Sequence, residues 1–386
     1  MFKIKTMNKI SPLGLEVFGE GYICGEDVED ADAILVRSAS LHQEELPHSL
    51  KVIARAGAGV NNIPVERCSE AGIAVFNTPG ANANAVKEHV ILSILLSCRK
   101  VIPAVNWVSG LDTTQDTEAL AEKGKGQFSG PEILGKKLGV IGLGAIGVLV
   151  ANAAADLGMT VYGYDPFLSV EAAIKLSRRI NHVSNISDIF SSCDFITIHV
   201  PLNNSTANMI NAEAIGKMRE GVRIINISRG GLVNNEDIKE AVRSGKVSCY
   251  VTDFACPELI GEENIIIFPH LGASTPESED NCARMAAEEL TDYLENGNVR
   301  NSVNLPDAEM PRSGEARITV IHKNVPNMLS QISAKVAEAG LNIENMLNKS
   351  KKDMAYTIFD IIGDADRIDM GDIERIDGVV RGRVIK

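Results

Sequence analysis

Residues 137–165 read KLGVIGLGAIGVLVANAAADLGMTVYGYD, and they restrict the fold more than any other stretch of the chain. An apolar run through Leu138, Val140 and Ile141 leads into Gly142, Gly144 and Gly147, spaced G-x-G-x-x-G. A small-residue helical pattern follows, then a second apolar run, Met159 to Tyr164, closed by Asp165. In a strand–turn–helix unit the first glycine makes the tight turn. The second lets backbone approach a pyrophosphate, and the third lets helix and strand pack closely. The helix start then offers free N–H groups and a positive dipole end to phosphate. An acid about 20 residues on accepts hydrogen bonds from ribose hydroxyls and repels a 2′-phosphate, which favours NAD over NADP. The competing reading, a tight βα turn without a nucleotide, explains the glycines but not the acid.

The rest of the chain is read around this unit. Its 386 residues suffice for two or three domains, and 45% hydrophobic with 23% charged residues is ordinary for a globular protein. No apolar run reaches the ~18–20 residues of a membrane span, and MFKIKTMNKI has no signal-peptide core, so no membrane association is expected. Seven scattered cysteines without a C-x-x-C pair suggest reduced thiols and a cytoplasmic location; no metal site is expected. A net charge of −13 argues against nucleic acid as a partner.

Before the motif, Ala33–Val36, Val52–Ala54 and Ile73–Phe76 read as buried strands and Ala85–Cys98 as a buried helix. Residues 110–137 read as an irregular connector. After the motif, Phe195–Val200, Val222–Ser228, Val247–Phe254 and Asn264–Phe268 are strand candidates, with helical segments such as Asn235–Arg243 between them. A helix is predicted from Ser274-Thr-Pro-Glu277 to about Glu295, ending at Asn296-Gly297. Residues 305–316 read as a linker, and 317–386 as βαββαβ. The expected fold is α/β: a Rossmann doubly wound parallel sheet over 100–276, a split flavodoxin-like substrate domain from 1–99 plus 277–308, and a ferredoxin-like domain over 317–386.

Active sites in open α/β sheets lie beyond the carboxyl ends of the strands. Arg229, Glu258 and His270 follow three such strands. Together they suit hydride transfer from a 2-hydroxy acid to NAD. An imidazole takes the hydroxyl proton, a paired carboxylate orients it, and a guanidinium holds the substrate carboxylate. Taken singly, His270 also reads as a helix cap and Arg229 as a surface turn, and Glu258 alone says little.

The segments ILVRSAS (34–40), VIARAGAGVNNI (52–63), NTPGANANAVKEH (77–89), VIGLGAIG (140–147), INISRGGLVN (225–234) and PHLGASTPES (269–278) resemble the D-isomer-specific 2-hydroxyacid dehydrogenase family. The terminal segment IHKNVPNML (321–329) resembles ACT domains. The resemblance implies Arg229, Glu258 and His270 as catalytic residues. It adds Ala145, Ile146, Val200, Ile227, Asp253 and Ala273 to Gly142, Gly144, Gly147 and Asp165 around NAD, with Asp253 on the nicotinamide amide. It implies Arg37, Ser38, Arg55, Gly57 and Asn82 for a phosphorylated 2-hydroxy acid, expected to be 3-phospho-D-glycerate oxidised to 3-phosphohydroxypyruvate at the start of a route to L-serine. Solvated loop arginines are the plainer reading of Arg37 and Arg55. In the ACT domain it implies His322, Asn324 and Asn342 as ligands of L-serine as effector, at the interface of paired domains in a homodimer or homotetramer. A purely oligomerising domain is the plainer reading there, and Asn327 stands where the family turn usually has glycine. Two alternatives stay open: another D-2-hydroxy acid (glycerate, hydroxypyruvate or lactate), and a non-enzymatic NAD-sensing corepressor.

Overall fold

Short apolar strands separated by helices pair in parallel, because a parallel neighbour needs a crossover of a dozen or more residues. The computed structural model, which describes residues 1–386, contains two such sheets and one antiparallel sheet. The chain divides into two compact units, Met1–Asn82 with Pro276–Lys386, and Ala83–Thr275.

The second unit holds a seven-stranded parallel sheet. Lys137–Ile141 lies in its interior, paired with Thr160–Tyr164 on one side and Phe195–Ile198 on the other. This reversal of strand order is the topological switch point at which doubly wound sheets bind ligands. The helix Ala83–Cys98 packs here. Its Val86, Val90, Ile94 and Cys98, four residues apart, share a core with Ala151, Ala154 and Ala155 of the Gly-rich helix. The contact boundary therefore falls at Asn82/Ala83, where the sequence pattern placed it after residue 99. Residues 110–137 are more regular than expected. Asp116 caps a helix Thr117–Gly124 by accepting from Ala119 N–H, and a 3₁₀ turn follows over Lys125–Phe128.

The first unit opens with a five-stranded parallel sheet. Its order, Tyr22–Gly25, Phe2–Met7, Ala33–Val36, Val52–Arg55, Ala74–Asn77, is the flavodoxin-like 2-1-3-4-5. The first two of these strands escaped the sequence reading, since their polar residues break the apolar runs. The long helix Pro276–Asn296 packs Ala283, Ala286, Leu290 and Leu294 on this sheet. The antiparallel sheet runs Asn342–Lys351, Met354–Ile362, Ala316–Lys323, Val379–Ile385. This is the expected βαββαβ unit, with a short helix Met370–Glu374 in place of the longer one predicted over 367–376. One sheet face, with Ile318, Val320, Phe359 and Ile361, packs on the helix Met328–Glu338. The other face, with Ile321, Tyr356 and Ile358, enters the core of the first sheet, as do Leu305 and Ala308 of the expected linker. No single helix is long and apolar enough to cross a membrane.

The two halves of this unit meet at a buried ion pair. Arg317 holds Asp360 bidentately at 2.6 and 2.9 Å and also donates to the carbonyls of Asn296 (2.7 Å) and Pro311 (3.1 Å). Both side chains are fully buried, so removing one partner strands a charge, at a cost of about 3–5 kcal/mol. Gly297, at φ +69°, follows the long helix where a Cβ would lie 2.6 Å from Thr319 and 2.9 Å from Ile385.

A second buried group makes this helix pH-dependent. One carboxylate oxygen of Glu289 accepts from Asn301 Nδ2 at 2.7 Å, and the other has no protein partner. Burial pushes Glu289 up to about 8 from 4.5, against the Asn301 hydrogen bond. The folded chain keeps a proton that the unfolded chain loses above 4.5, so this contribution to stability is full below 4.5 and lost as pH rises through 8. Glu289→Gln keeps the Asn301 contact without titrating. Its melting temperature relative to the parent should climb between pH 5.5 and 8.5, reaching about 1–3 kcal/mol of added stability. A flat difference across that range refutes the assignment.

Candidate active site

Strand Lys137–Ile141 ends at Gly142, whose φ of +92° is open to glycine. A Cβ there would lie 2.5 Å from the His199 carbonyl, and one on Gly147 would lie 1.8 Å from the Gly142 carbonyl. Both glycines are thus required by close backbone approach. A Cβ on Gly144 meets nothing within 4 Å, so this residue borders open space. The helix Ala145–Asp156 starts there without a side-chain cap, leaving the N–H groups of its first turn to a ligand. Asp165 ends the next strand and is fixed by two backbone donors, Leu143 N–H and Phe167 N–H, both at 2.8 Å. Each oxygen keeps a lone pair for a ribose hydroxyl. Val200 and Ile227 stand at the ends of neighbouring strands, where the Val200 carbonyl accepts from Ser228 Oγ. Ala273 packs at the edge of the same core.

Asp253 follows the strand Val247–Thr252 and is 3% exposed. Its Oδ2 accepts from Gly272 N–H at 3.2 Å, and its Oδ1 has no protein partner. An orphaned buried acceptor at the carboxyl edge fits a carboxamide, as the open face at Gly144 fits a pyrophosphate. The residues present therefore fit NAD. Burial raises Asp253 above the usual carboxylate range, opposed by the imidazoles of His270 and His89.

His270 takes the left-handed conformation, φ +42°, which is strained for a residue with a Cβ. Its N–H is shared between the carbonyls of Asp253 (3.0 Å) and Phe268 (3.1 Å), and its ring packs edge-on to Phe254 at 5.2 Å. The ring is 71% exposed, with Nδ1 4.0 Å from Asp253 Oδ2. The carboxylate facing His270 is therefore Asp253. Glu258 is exposed and lies beside Cys256, whose thiol is pushed up first by burial and then by the Glu258 carboxylate. Arg229 follows the strand Val222–Asn226. Its carbonyl accepts from Asn226 Nδ2 and its guanidinium donates to the Ser228 carbonyl at 2.7 Å, leaving most of its donors to solvent.

The first unit carries the remaining candidates. Arg37 ends its strand and pairs with Glu279 at 2.5 Å, both side chains 42% exposed. Glu279 escaped the sequence reading because it lies on the long helix, 242 positions away. Arg55 ends the next strand and braces its own loop, donating to the carbonyls of Arg37 (3.0 Å) and Gly59 (2.6 Å). Gly57 is at φ +156°, a conformation that side chains rarely adopt, and a Cβ there would lie 2.8 Å from the flexible Arg55 guanidinium. The N–H groups of Ser38 and Ala39 share Asn8 Oδ1, and Asn82 closes the segment before Ala83.

In the terminal domain Asn327 adopts φ +69° at the start of its helix, so the turn keeps the left-handed geometry in spite of the missing glycine. His322 is 2% exposed, with its ring nitrogens on the Lys323 carbonyl (2.8 Å) and Thr357 Oγ1 (2.9 Å). Asn324 donates to the Lys352 carbonyl. His322 pairs with Ala355 and Asn342 with Ile362 on the strand between them, so one domain sets them about 23 Å apart along the strand direction.

Residues 93–272 match the model of the NAD-binding domain of D-isomer-specific 2-hydroxyacid dehydrogenases. The chain is 38% identical over 288 residues to a D-3-phosphoglycerate dehydrogenase of Synechocystis, covering 72% of this chain and 50% of that one. It is 31% identical over 377 residues to the D-3-phosphoglycerate dehydrogenase of Escherichia coli, covering 93% and 88%. The chain thus spans only half the length of the Synechocystis relative, and 64% of a Bacillus subtilis one. Among solved structures, a glyoxylate reductase from Paecilomyes thermophila is 25% identical with a TM-score of 0.65. An NAD⁺-bound 3-phosphoglycerate dehydrogenase from Entamoeba histolytica is 27% identical with a TM-score of 0.60; each alignment covers 78% of this chain and 98% of the other.

Asp165→Ala removes a carboxylate suited to accept from a ribose, together with its contacts to Leu143 and Phe167 N–H. Titration should show NAD affinity falling about tenfold and discrimination against NADP relaxing. Unchanged preference between the two would remove Asp165 from the site.

Proposed function

We propose that this chain, which belongs to the D-isomer-specific 2-hydroxyacid dehydrogenase family, oxidises 3-phospho-D-glycerate to 3-phosphohydroxypyruvate with NAD. The observation that carries the reading is the strained His270 beside buried Asp253, on the carboxyl edge that also presents the dinucleotide loop. The D-3-phosphoglycerate dehydrogenases among the relatives support the substrate.

In this mechanism Arg229 holds the substrate carboxylate in a bidentate fork and draws charge toward the carbonyl as it forms. His270 takes the hydroxyl proton at Nε2, the ring nitrogen turned from Asp253. The imidazolium gains from the Asp253 carboxylate beside Nδ1, and Glu258 supplies the second carboxylate of the catalytic set. NAD, when bound, accepts the hydride leaving the same carbon. Gly142, Gly144, Ala145, Ile146, Gly147 and Asp165 would hold its adenosine and pyrophosphate, and Val200, Ile227, Asp253 and Ala273 its nicotinamide end. Arg37, Ser38, Arg55, Gly57 and Asn82 bind the substrate's phosphate and carboxylate.

A second reading, a 2-hydroxy acid without phosphate, is favoured by the Arg37–Glu279 pair, which neutralises one of the cations that a phosphate needs. We assign L-serine as effector, held by His322 and Asn324 of one copy and Asn342 of another. A homodimer or homotetramer is supported by the exposed apolar stripe Val101, Ile102, Val105 and Val108. Seven free cysteines support a reducing, cytoplasmic setting.

NADH production should follow addition of 3-phosphoglycerate, be far weaker with glycerate or lactate, and fall with serine. Equal rates on glycerate would move the assignment to the second reading. His270→Ala should lose about 10²–10⁴-fold in turnover with NAD affinity nearly intact; retained turnover would remove His270 from the reaction.

A further inference from the structure

His89 lies on the helix Ala83–Cys98, one turn after Val86. Its ring stands edge-on to Phe268 at 4.7 Å and 74°. Phe268 in turn accepts the His270 N–H and donates its own N–H to the Thr252 carbonyl. Val86, on the same helix face, comes within 3.9 Å of where a Gly272 Cβ would stand, which is itself 3.1 Å from Asp253 Oδ2. That helix face is therefore directed at the Asp253 carboxylate. Two buried polar atoms in this region have no protein partner, His89 Nε2 and Asp253 Oδ1. A satisfied core leaves few such atoms, and two in one place indicate a shared ligand. One is an acceptor only, and the other donates when its tautomer places the proton on Nε2. A primary carboxamide carries the complementary pair, an N–H₂ donor and a carbonyl acceptor.

We propose that His89 is a positioning residue for the nicotinamide ring, giving its Nε2–H to the carboxamide oxygen while Asp253 Oδ1 takes the amide N–H. Two contacts on the two ends of one amide fix the ring against a half-turn about its glycosidic bond, and so fix which ring face meets the substrate carbon. Burial holds His89 below the usual imidazole range, with the Asp253 carboxylate opposing, so the ring stays neutral with a single donor. The other titratable groups around Asp253 are His270 and Tyr250. The inference rests on the dehydrogenase reading only through NAD, so its test needs no substrate.

The test titrates the purified protein with NAD⁺ and, separately, with ADP-ribose, which lacks the nicotinamide. His89→Phe keeps a ring against Phe268 and removes the donor; His89→Gln restores a donor. His89→Phe should weaken NAD⁺ about tenfold and leave ADP-ribose unchanged, and His89→Gln should recover most of the loss. Wild-type NAD⁺ affinity in His89→Phe overturns the proposal. So does an equal loss for ADP-ribose, which would mark His89 as a packing residue, or failure of the glutamine to rescue. Failure of the dehydrogenase reading would show differently, as no turnover on any 2-hydroxy acid with His89-dependent NAD⁺ binding intact.

Discussion

The approach of Gly147 to the Gly142 carbonyl is the constraint on which the dinucleotide unit depends. With no Cβ at either position, the helix Ala145–Asp156 packs directly on the strand Lys137–Ile141 and its first turn opens beside Gly144. Because that strand sits at the switch point of the sheet, the candidate side chains that follow its strands gather at their carboxyl ends. Asp165, Asp253 and His270 are placed in this way, and none needs a long loop to reach its position.

Asp253 ties the chemistry to that scaffold. Its burial raises the energy of its charge, and a buried carboxylate with one unmatched oxygen is stable only beside cations, donors or a ligand. The His270 backbone N–H and the Gly272 N–H both point at Asp253, on its carbonyl and its carboxylate respectively. The left-handed strain of His270 is thus held by hydrogen bonds of its N–H to Phe268 and to Asp253, whose carboxylate lies 4.0 Å from its ring. Arg317 has the corresponding place in the other unit. It joins the end of the long helix, the linker carbonyl of Pro311 and the terminal sheet in one buried cluster. With Tyr356 Oη donating to the Gly297 carbonyl and Arg383 stacked over Tyr293 at 4.3 Å, the terminal domain is fastened to the first sheet along one face.

The parts of the fold legible in the sequence were those with strong local signals. Buried parallel strands such as Ala33–Val36 are continuous apolar runs, and Asn296-Gly297 ends the long helix where its φ demands glycine. Asn327 was readable too, because asparagine tolerates the left-handed turn that glycine usually fills. The edge strand Tyr22–Gly25 and its neighbour Phe2–Met7 were not, since their polar and part-exposed residues interrupt the pattern. The helix Thr117–Gly124 hid in a polar segment whose mean burial is low, though its Asp116 cap was a usable signal.

What the sequence determined by itself was local: a turn that admits only glycine, an acid at a fixed spacing, an imidazole, a guanidinium and a carboxylate each following an apolar strand. Spacing along one chain carries that information because a βα unit has a nearly fixed length. Partnership between side chains was decided by the tertiary structure alone. Glu279 reaches Arg37 across 242 positions, Asp253 rather than Glu258 faces His270, and His89 comes to the same carboxylate from a helix that precedes the dinucleotide motif. Those distances depend on how helices pack on sheets, a sum over many weak contacts that no short window of residues contains.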